Sequence, residues 1–435
     1  MIHFCHEGKR GARAGRYRIL VSSMCASALL VAAAGFSSSG GGSPAGATTP
    51  GVTKGSITVE GLLTKTSSAG YSFADADLGA KALFKQVNAA GGVNGRKINY
   101  LGSRDDGGDP TQGLPLSKSI VEQDHAFAVV PVVSPTFAPT YLEQQKIPFF
   151  GWGINPAFCN NNYGFGMNGC VVPAAPKDLV MVAPATVVAK ALGDSNGKGA
   201  GKTVALITND DSAGTSGLNV VKAAYVAAGF KVVYAEASVP DQPVSDWSPY
   251  VSAVLKANNG QPPDVMDYGT QLPDVIGMRA AMNQAGFKGI SVDPVAYAPI
   301  LVQSATTSAG LQNEYVALQF APFEAGTPAM NKMKQAILAV GGTSANFTEA
   351  AAVGYWSAAL FVAALKKAGS NPTRASLTKA LNSGFSYGVP GGLGTVSFPK
   401  DHTAVTPCSS LVQIRGKRYV QSVPLTCGKN VPVGS

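Results

Sequence analysis

The residue groups that could do covalent chemistry stand in the wrong local order for it. Gly193-Asp194-Ser195-Asn196-Gly197 has the G-x-S-x-G spacing of a nucleophile elbow. That chemistry needs the serine on a sharp strand-to-helix turn beside a base. Here a helical pattern precedes the serine and a strand pattern follows. A hydrolase built on Ser195 would lose an esterase activity in Ser195→Ala, and no such activity is expected. Gly199-Ala200-Gly201-Lys202-Thr203 ends like a phosphate loop, but Asn196 takes the place of its first glycine. It also leads into a strand, whereas a phosphate loop opens a helix whose N-terminus holds the anion. Gly151-Trp152-Gly153-Ile154-Asn155-Pro156 lacks the third glycine of a dinucleotide fingerprint. The acid pairs Asp105-Asp106 and Asp210-Asp211 are adjacent, which suits loop capping better than a division into general acid and base. No catalytic residues are assigned, and neither a cofactor nor a metal is expected.

Six cysteines occur, two of them, Cys5 and Cys25, in the N-terminal segment. The others are Cys159, Cys170, Cys408 and Cys427, which allow three disulfide connectivities. Local pairing, 159 with 170 and 408 with 427, is favoured. Residues 411–414 and 419–423 read as two strands around Arg415-Gly416-Lys417-Arg418, and a hairpin there would set Cys408 opposite Cys427. Cys159 and Cys170 bracket the loop-like Asn160-Asn161-Asn162-Tyr163-Gly164. Past residue 34 the histidines are His125 and His402, and no CxxC spacing occurs, so the cysteines read as disulfides and not as a zinc site.

The formal charge of +9 over 435 residues raises the question of an anionic partner. Residues 1–34 carry Lys9, Arg10, Arg13, Arg16 and Arg18 against Glu7, a net of +4, which leaves +5 spread over the rest. No basic cluster is interleaved with aromatics, and no nucleic-acid partner is expected. The basic residues precede the apolar run Ile19–Ala34, which is short for a membrane span and ends in small residues, as a secretory signal peptide does. Ala33-Ala34-Gly35-Phe36 followed by Ser37-Ser38-Ser39-Gly40-Gly41-Gly42 resembles a bacterial lipoprotein junction with Phe36 at the lipidation cysteine. Phenylalanine has no thiol to carry a lipid. Export to the cell envelope or beyond is expected, with residues 35–55, rich in Ser, Gly, Pro and Thr, as a flexible linker.

From Ile57 on, apolar strands alternate with amphipathic helices. Strands are expected at 57–63, 97–101, 127–133, 147–150, 203–208, 231–235, 264–268 and 289–292. Helices are expected at 75–90, 109–122, 139–145, 177–192, 217–228, 250–257, 274–285, 328–340, 348–367 and 373–382. Asp109 reads as an N-cap with Pro110 behind it. This alternation argues for α/β architecture, with two doubly wound parallel-sheet lobes. With 45 % hydrophobic and only 14 % charged residues, the chain has ample apolar surface to fill two such cores.

Ser68-Ala69-Gly70-Tyr71 leads into a helix. After it come Val87-Asn88-Ala89-Ala90-Gly91-Gly92-Val93-Asn94-Gly95-Arg96-Lys97-Ile98, then Asp105-Asp106 and Asp109-Pro110. This order resembles the opening of the branched-chain amino-acid (Leu/Ile/Val) binding protein family, the substrate-binding receptors of ABC importers. The resemblance runs from about residue 56 to the end. It implies a type I periplasmic-binding fold, with two lobes joined by three crossings near 177, 305 and 390–400. Lobe 1 would be 56–177 plus 306–390, and lobe 2 would be 178–305 plus 391–435. A small-molecule ligand would bind between them, and an ABC-transporter permease would be the partner of a monomeric receptor. A ligand-sensing regulatory module on the same fold is the alternative.

In open parallel sheets ligands bind beyond the carboxyl ends of the strands. That places Ser134 and Thr136 at the site, with hydroxyls and amides suited to a carboxylate. Tyr71, Trp152 and Gly153 join them, with Trp152 able to stack on a ligand. Lobe 2 would contribute Tyr268, Gln271, Asp293 and Tyr297, with Asn209 to Ser212 nearby. Family members that bind α-amino acids place a hydroxyl near Ile154 and Asn155 and an acid in lobe 2. The hydroxyl is absent here, and Asp293 is the nearest acid. The ligand class is therefore an amino acid, another small polar or aromatic carboxylate, or an amide.

Overall fold

The computed structural model describes residues 49–434 apart from 69, 173–177 and 241. The expected signal peptide, most of the linker, Phe36 and the first expected crossing point at 177 lie outside the described residues.

The first run of elements is β1 (Ser56–Leu63), α1 (Asp75–Ala89), β2 (Lys97–Asp105), α2 (Gly113–Lys118), β3 (Ala128–Val133), α3 (Thr140–Gln144), β4 (Phe149–Gly151) and β5 (Gly164–Gly166). Its strands form one parallel sheet in the order β2-β1-β3-β4-β5. The second run is β6 (Leu179–Met181), α4 (Ala183–Ala191), β7 (Thr203–Asn209), α5 (Ser212–Ala227), β8 (Lys231–Val239), α6 (Ser248–Lys256), β9 (Val265–Gly269), α7 (Leu272–Gln284), β10 (Ile290–Asp293), α8 (Pro299–Gln303), α9 (Ala305–Gly310) and β11 (Glu314–Leu318). A third run, α10 (Pro328–Ala339), α11 (Glu349–Ala368), α12 (Arg374–Leu381), β12 (Phe385–Val389) and β13 (Leu393–Phe398), returns to the first sheet, where α11 packs on α1, β3 and β4. Last come β14 (Cys408–Arg415), β15 (Arg418–Cys427) and β16 (Asn430–Pro432). The second sheet runs β15-β14-β11-β10-β9-β7-β8, parallel from β8 to β11 and closed by the antiparallel β14 and β15.

Both parallel sheets thus repeat the 2-1-3-4-5 strand order, with a topological switch point beside β1 in one and β7 in the other. β3 and β7 are buried at every position, as central strands covered on both faces require. Helix α11 buries 16 of its 20 residues, because it fills the space between α1 and the sheet.

Several boundaries differ from the sequence reading. Residues 49–55 are not linker: Thr58 N donates to Gly51 O at 2.8 Å, and Val52 bridges to Ile57. Asp109 caps no helix. Its Oδ1 accepts from Thr111 N at 2.8 Å and Thr111 Oγ1 at 2.7 Å, closing a turn, and α2 begins only at Gly113. The helix expected over 177–192 is a strand, β6, followed by the shorter α4. β6 pairs with β16, and Pro184 in the first turn of α4 sets the helix start.

One expected crossing moves as well. β11 lies in the second sheet between β10 and β14, so the chain leaves that sheet after Leu318, not at 305. β13 pairs with β12, so the last passage falls after Phe398, at the far end of the expected 390–400. The disulfides are Cys159–Cys170 and Cys408–Cys427, and Cys408 stands directly opposite Cys427 in the β14–β15 ladder.

Candidate functional site

Segments beyond the strand carboxyl ends of the two sheets, together with the start of α11, come close to one another. A methyl group placed on Gly70, after β1, would lie 3.6 Å from Pro273 Cγ at the start of α7, after β9. Trp152, after β4, donates from Nε1 to Gln319 Oε1 at 2.9 Å, and Gln319 follows β11. Glu349 N, at the start of α11, donates to Tyr297 O at 3.1 Å, after β10. The carboxyl ends of both sheets therefore face a common cleft.

On the first-sheet side, Asp105 and Asp106 fasten the cleft loop. Asp105 Oδ1 accepts from Lys65 N at 2.8 Å and Gly107 N at 2.9 Å, and Asp106 Oδ1 accepts from Thr64 Oγ1 at 2.7 Å. Burial works against the charge of Asp105, but the bonds from Gly107, Thr66 and Lys65 hold its carboxyl below the usual range. The fastened loop carries Tyr71, whose ring lies 5.6 Å from Phe73. Phe73 in turn meets Trp152 edge-on at 6.0 Å. Phe73 was not anticipated; it stands two residues beyond Tyr71 in the same loop, which is the signal that could have found it.

Ser134 and Thr136 are where expected, at the end of β3, but part of their capacity is spent locally. Ser134 Oγ accepts from Thr136 N at 3.2 Å and lies 3.3 Å from Thr136 Oγ1. Asn155, where the family's hydroxyl would stand nearby, donates from Nδ2 to Pro135 O at 2.7 Å and Phe137 O at 3.1 Å, fixing this turn. Thr136 remains half-exposed and lines a cavity of about 480 Å³ with Pro135, Phe137, Pro139, Glu143 and Pro156. Trp152 is 6 % exposed, and its indole N–H is committed to Gln319. Gly153 serves close backbone packing: a methyl group on it would come 1.9 Å from Gly169 O.

On the second-sheet side only Gln271, half-exposed and extended ahead of α7, keeps an accessible side chain among the four expected contacts. Tyr268 is fully buried and accepts from Ser291 Oγ at 2.7 Å, and burial pushes its phenol up. Side chains alternate across a strand, and Tyr268 shares the core face of β9 with Met266. Tyr297 donates to Glu324 Oε2 at 2.6 Å, accepts from Phe323 N at 2.8 Å, and stacks on Phe323. Asp293 is 1 % exposed, with Oδ1 accepting from Val295 N at 2.7 Å and Ala296 N at 2.6 Å. Burial pushes its carboxyl up to about 7 despite those two bonds. Beneath it Glu314, raised by the same cause, lies 3.3 Å from Arg279 Nε. Tyr268, Tyr297 and Asp293 are thus framework behind the cleft wall. A buried Asp293 whose ionised form is disfavoured by burial is a weaker counter-ion for an ammonium group than a solvated carboxylate.

Ser195 lies in the turn between α4 and β7, the reverse of an elbow, where Asp194 Oδ1 accepts from Asn196 N at 2.8 Å. Among the described residues no helix is long and apolar enough to cross a membrane. No group of three or more His, Cys, Asp or Glu positioned to hold a metal ion occurs among them either.

A search of curated proteins returns no match. Among solved structures the chain is similar to a fatty acid ABC transporter substrate-binding protein from Thermomonospora curvata, with 19 % identity and a TM-score of 0.66 over 89 % of this chain and 96 % of that one. It is similar to a substrate-binding periplasmic protein from Ralstonia solanacearum, with 18 % identity and a TM-score of 0.64 over 84 % and 99 % of the two chains. A solute binding protein of an ABC transporter from R. palustris, in complex with benzoate, matches at 16 % identity with a TM-score of 0.62 over 88 % and 99 %. The periplasmic binding protein family matches residues 56–418, more than four-fifths of the chain, and with two like-ordered sheets facing one cleft the chain belongs to that family.

Proposed function

We propose that this protein is an extracytoplasmic receptor that captures a small organic carboxylate between two lobes and delivers it to the permease of an ABC importer. One lobe comprises 49–166 with 328–398, and the other 179–318 with 408–432. The observation that carries the reading is the cleft: the Trp152–Gln319 bond joins segments beyond strand carboxyl ends of the two sheets, the start of α11 meets Tyr297 beyond β10, and Gly70 beyond β1 lies near Pro273 beyond β9. Nothing in the reading requires bond-breaking; the cleft residues bind and exclude water.

The ligand class follows from what the cleft retains. Tyr71, Phe73 and Trp152 supply aromatic surface, and Thr136 and Gln271 supply polar groups. Asp293, the acid nearest the expected ammonium position, is buried, raised to about 7, and has Oδ1 committed to two backbone amides. A carboxylate without an α-ammonium, of the kind the R. palustris protein holds, fits better than a branched-chain amino acid.

The test is to denature the purified protein, identify released small molecules by mass spectrometry, and follow thermal unfolding with benzoate, 4-hydroxybenzoate and leucine. A ligand at about 100 times its Kd adds ~2.7 kcal/mol. A benzoate that stabilises where leucine does not supports the proposal. Stabilisation by leucine alone overturns the ligand class. If no small molecule is released and none stabilises, the receptor reading fails.

A further inference from the structure

The three passages between the sheets meet at one short segment, residues 166–171. The first passage leaves from this segment, between β5 and β6. The second, after β11, touches it through Gln319, whose Oε1 accepts from Asn168 Nδ2 as well as from Trp152 Nε1. The third, between β13 and β14, runs against it: Thr406 N donates to Asn168 O at 2.8 Å, Cys170 N donates to Ala404 O at 2.9 Å, and Gly169 bridges to Val405. Asn168 is 1 % exposed, and its Oδ1 accepts from Gly153 N at 3.2 Å, next to Trp152. The second passage also meets elements on either side of the third, since Ser410 Oγ in β14 donates to Phe320 O at 2.5 Å and Ala321 N donates to Gly392 O, just before β13, at 2.8 Å.

We infer that the Gln319 carboxamide oxygen is the pin of the interlobe hinge, a positioning residue that ties the second crossing to Trp152 of the first lobe and to Asn168 of the first crossing. Gln319 follows a strand of the second sheet, yet its side chain is bonded to the first. Phe320 bridges to Leu393 and Ala321 N donates to Gly392 O, so from Gln319 onward the second crossing is already joined to the first lobe, and bending there must begin on the β11 side of Gln319. The pin also decides what a ligand can use of Trp152. Its N–H is occupied, so a ligand meets the ring face and not the donor. The hinge role rests on the receptor reading for its purpose and on the bonds themselves for its geometry.

The chemistry of the pin is specific. It needs an acceptor with two lone pairs and no need of its own donor. Gln319→Glu preserves that acceptor, whereas Gln319→Met keeps the length and leaves two donors unpaired. The test uses the full chain without ligand, in a Trp247→Phe/Trp356→Phe background so that emission reports Trp152. Hydrogen exchange follows peptides covering 319–327 and 403–408, and small-angle scattering follows the spread of lobe separations.

In Gln319→Met, exchange in both peptides is expected to accelerate by about tenfold, the scale of one or two lost buried bonds. Trp152 emission should shift, the scattering distribution should broaden, and exchange in β1 and β3 should stay as in the parent. Gln319→Glu should match the parent. If Gln319→Met lowers only the melting temperature, with emission, scattering and crossing exchange unchanged, the oxygen is ordinary packing and the inference is overturned. If Gln319→Glu behaves as Gln319→Met, the acceptor is not the cause and the inference falls too. None of these readouts uses a ligand, so they stand apart from the success or failure of the carboxylate test.

Discussion

Helices α1 and α11 cross without side chains between them at two points. A methyl group on Gly79 would come 2.0 Å from Ala351 O, and one on Gly354 would come 2.0 Å from Ala76 O. Both glycines lie inside helices, where alanine is worth up to ~1 kcal/mol over glycine. Gly217 in α5 meets nothing within 4 Å at the same position. Gly217→Ala is therefore expected to stabilise by ~0.5–1 kcal/mol. Gly79→Ala gains the same propensity but must drive the helices more than 1 Å apart to reach an ordinary contact of ~3.4 Å or more. Overpacking of this kind costs ~1–3 kcal/mol, and the loosened contacts add to it. The net expectation is a loss of about 2 kcal/mol, with Gly354→Ala alike. Because one separation relieves both clashes, the double variant should lose clearly less than the sum of the singles. Urea unfolding, with midpoint and slope compared, measures all four. A neutral or stabilising Gly79→Ala, or strict additivity, would refute the close crossing. The crossing also bears on the site, because α1 begins at Asp75, which accepts from Thr348 Oγ1 at 2.9 Å and Asn346 Nδ2 at 3.0 Å, directly after the Tyr71 loop.

Acidity should matter in a definite direction. Burial raises Asp293 and Glu60 each to about 7, so both favour the fold at low pH and lose that contribution as pH rises through 7. His402, depressed to about 4 by burial, acts oppositely, removing stability as pH falls from 6.5 toward 4. Asp267, also raised to about 7 by burial, adds to them, and the carboxyls outweigh the histidine, so unfolding free energy at pH 5.5 should exceed that at pH 8 by roughly 3 kcal/mol or more; a flat profile in chemical denaturation would contradict these assignments. Removing the Cys408–Cys427 bridge by double alanine substitution should cost about 3 kcal/mol, since it closes a loop of 19 residues; calorimetry reads it, and a loss below ~1 kcal/mol would count against the entropic account. Tyr268→Phe should lower stability by about 1 kcal/mol through the lost Ser291 bond and leave the ligand-induced melting shift intact. A reduced shift would return Tyr268 to the cleft.

The alternation of strands and helices was legible because the buried strands are apolar runs closed by small or polar residues, such as Ser134 after β3, Gly151 ending β4, Asn209 ending β7 and Asp293 ending β10. β11 escaped because Glu314, buried against Arg279, interrupts the pattern that marks a strand. Asp109-Pro110 carried a helix-start signature whose acid is consumed two residues on by Thr111. The segment most specific to the family proves architectural: Asn94 Nδ2 donates to Gly369 O at 2.9 Å and Arg96 Nε to Thr53 O at 2.8 Å, holding one edge of the first lobe. At the site, sequence located the strand ends but not the faces. Ser134, Trp152 and Gln271 stand at such ends, and so do Tyr268 and Asp293, yet the last two point into the core. A two-residue period decides that, and it depends on register with neighbours far along the chain. The bond from Trp152 to Gln319 spans 167 residues and leaves no local trace.

The interleaving of the two lobes bears on how the protein is made. The first sheet is covered by α11, and the second is completed by β14 and β15 from the end of the chain. Neither sheet can finish burying its apolar face while the polypeptide is still emerging from the ribosome. Pairing partners so distant in sequence fold slowly. The topology therefore ties completion of both lobes to release of the last strands, and a chain short of them would stay loose enough to be threaded or degraded.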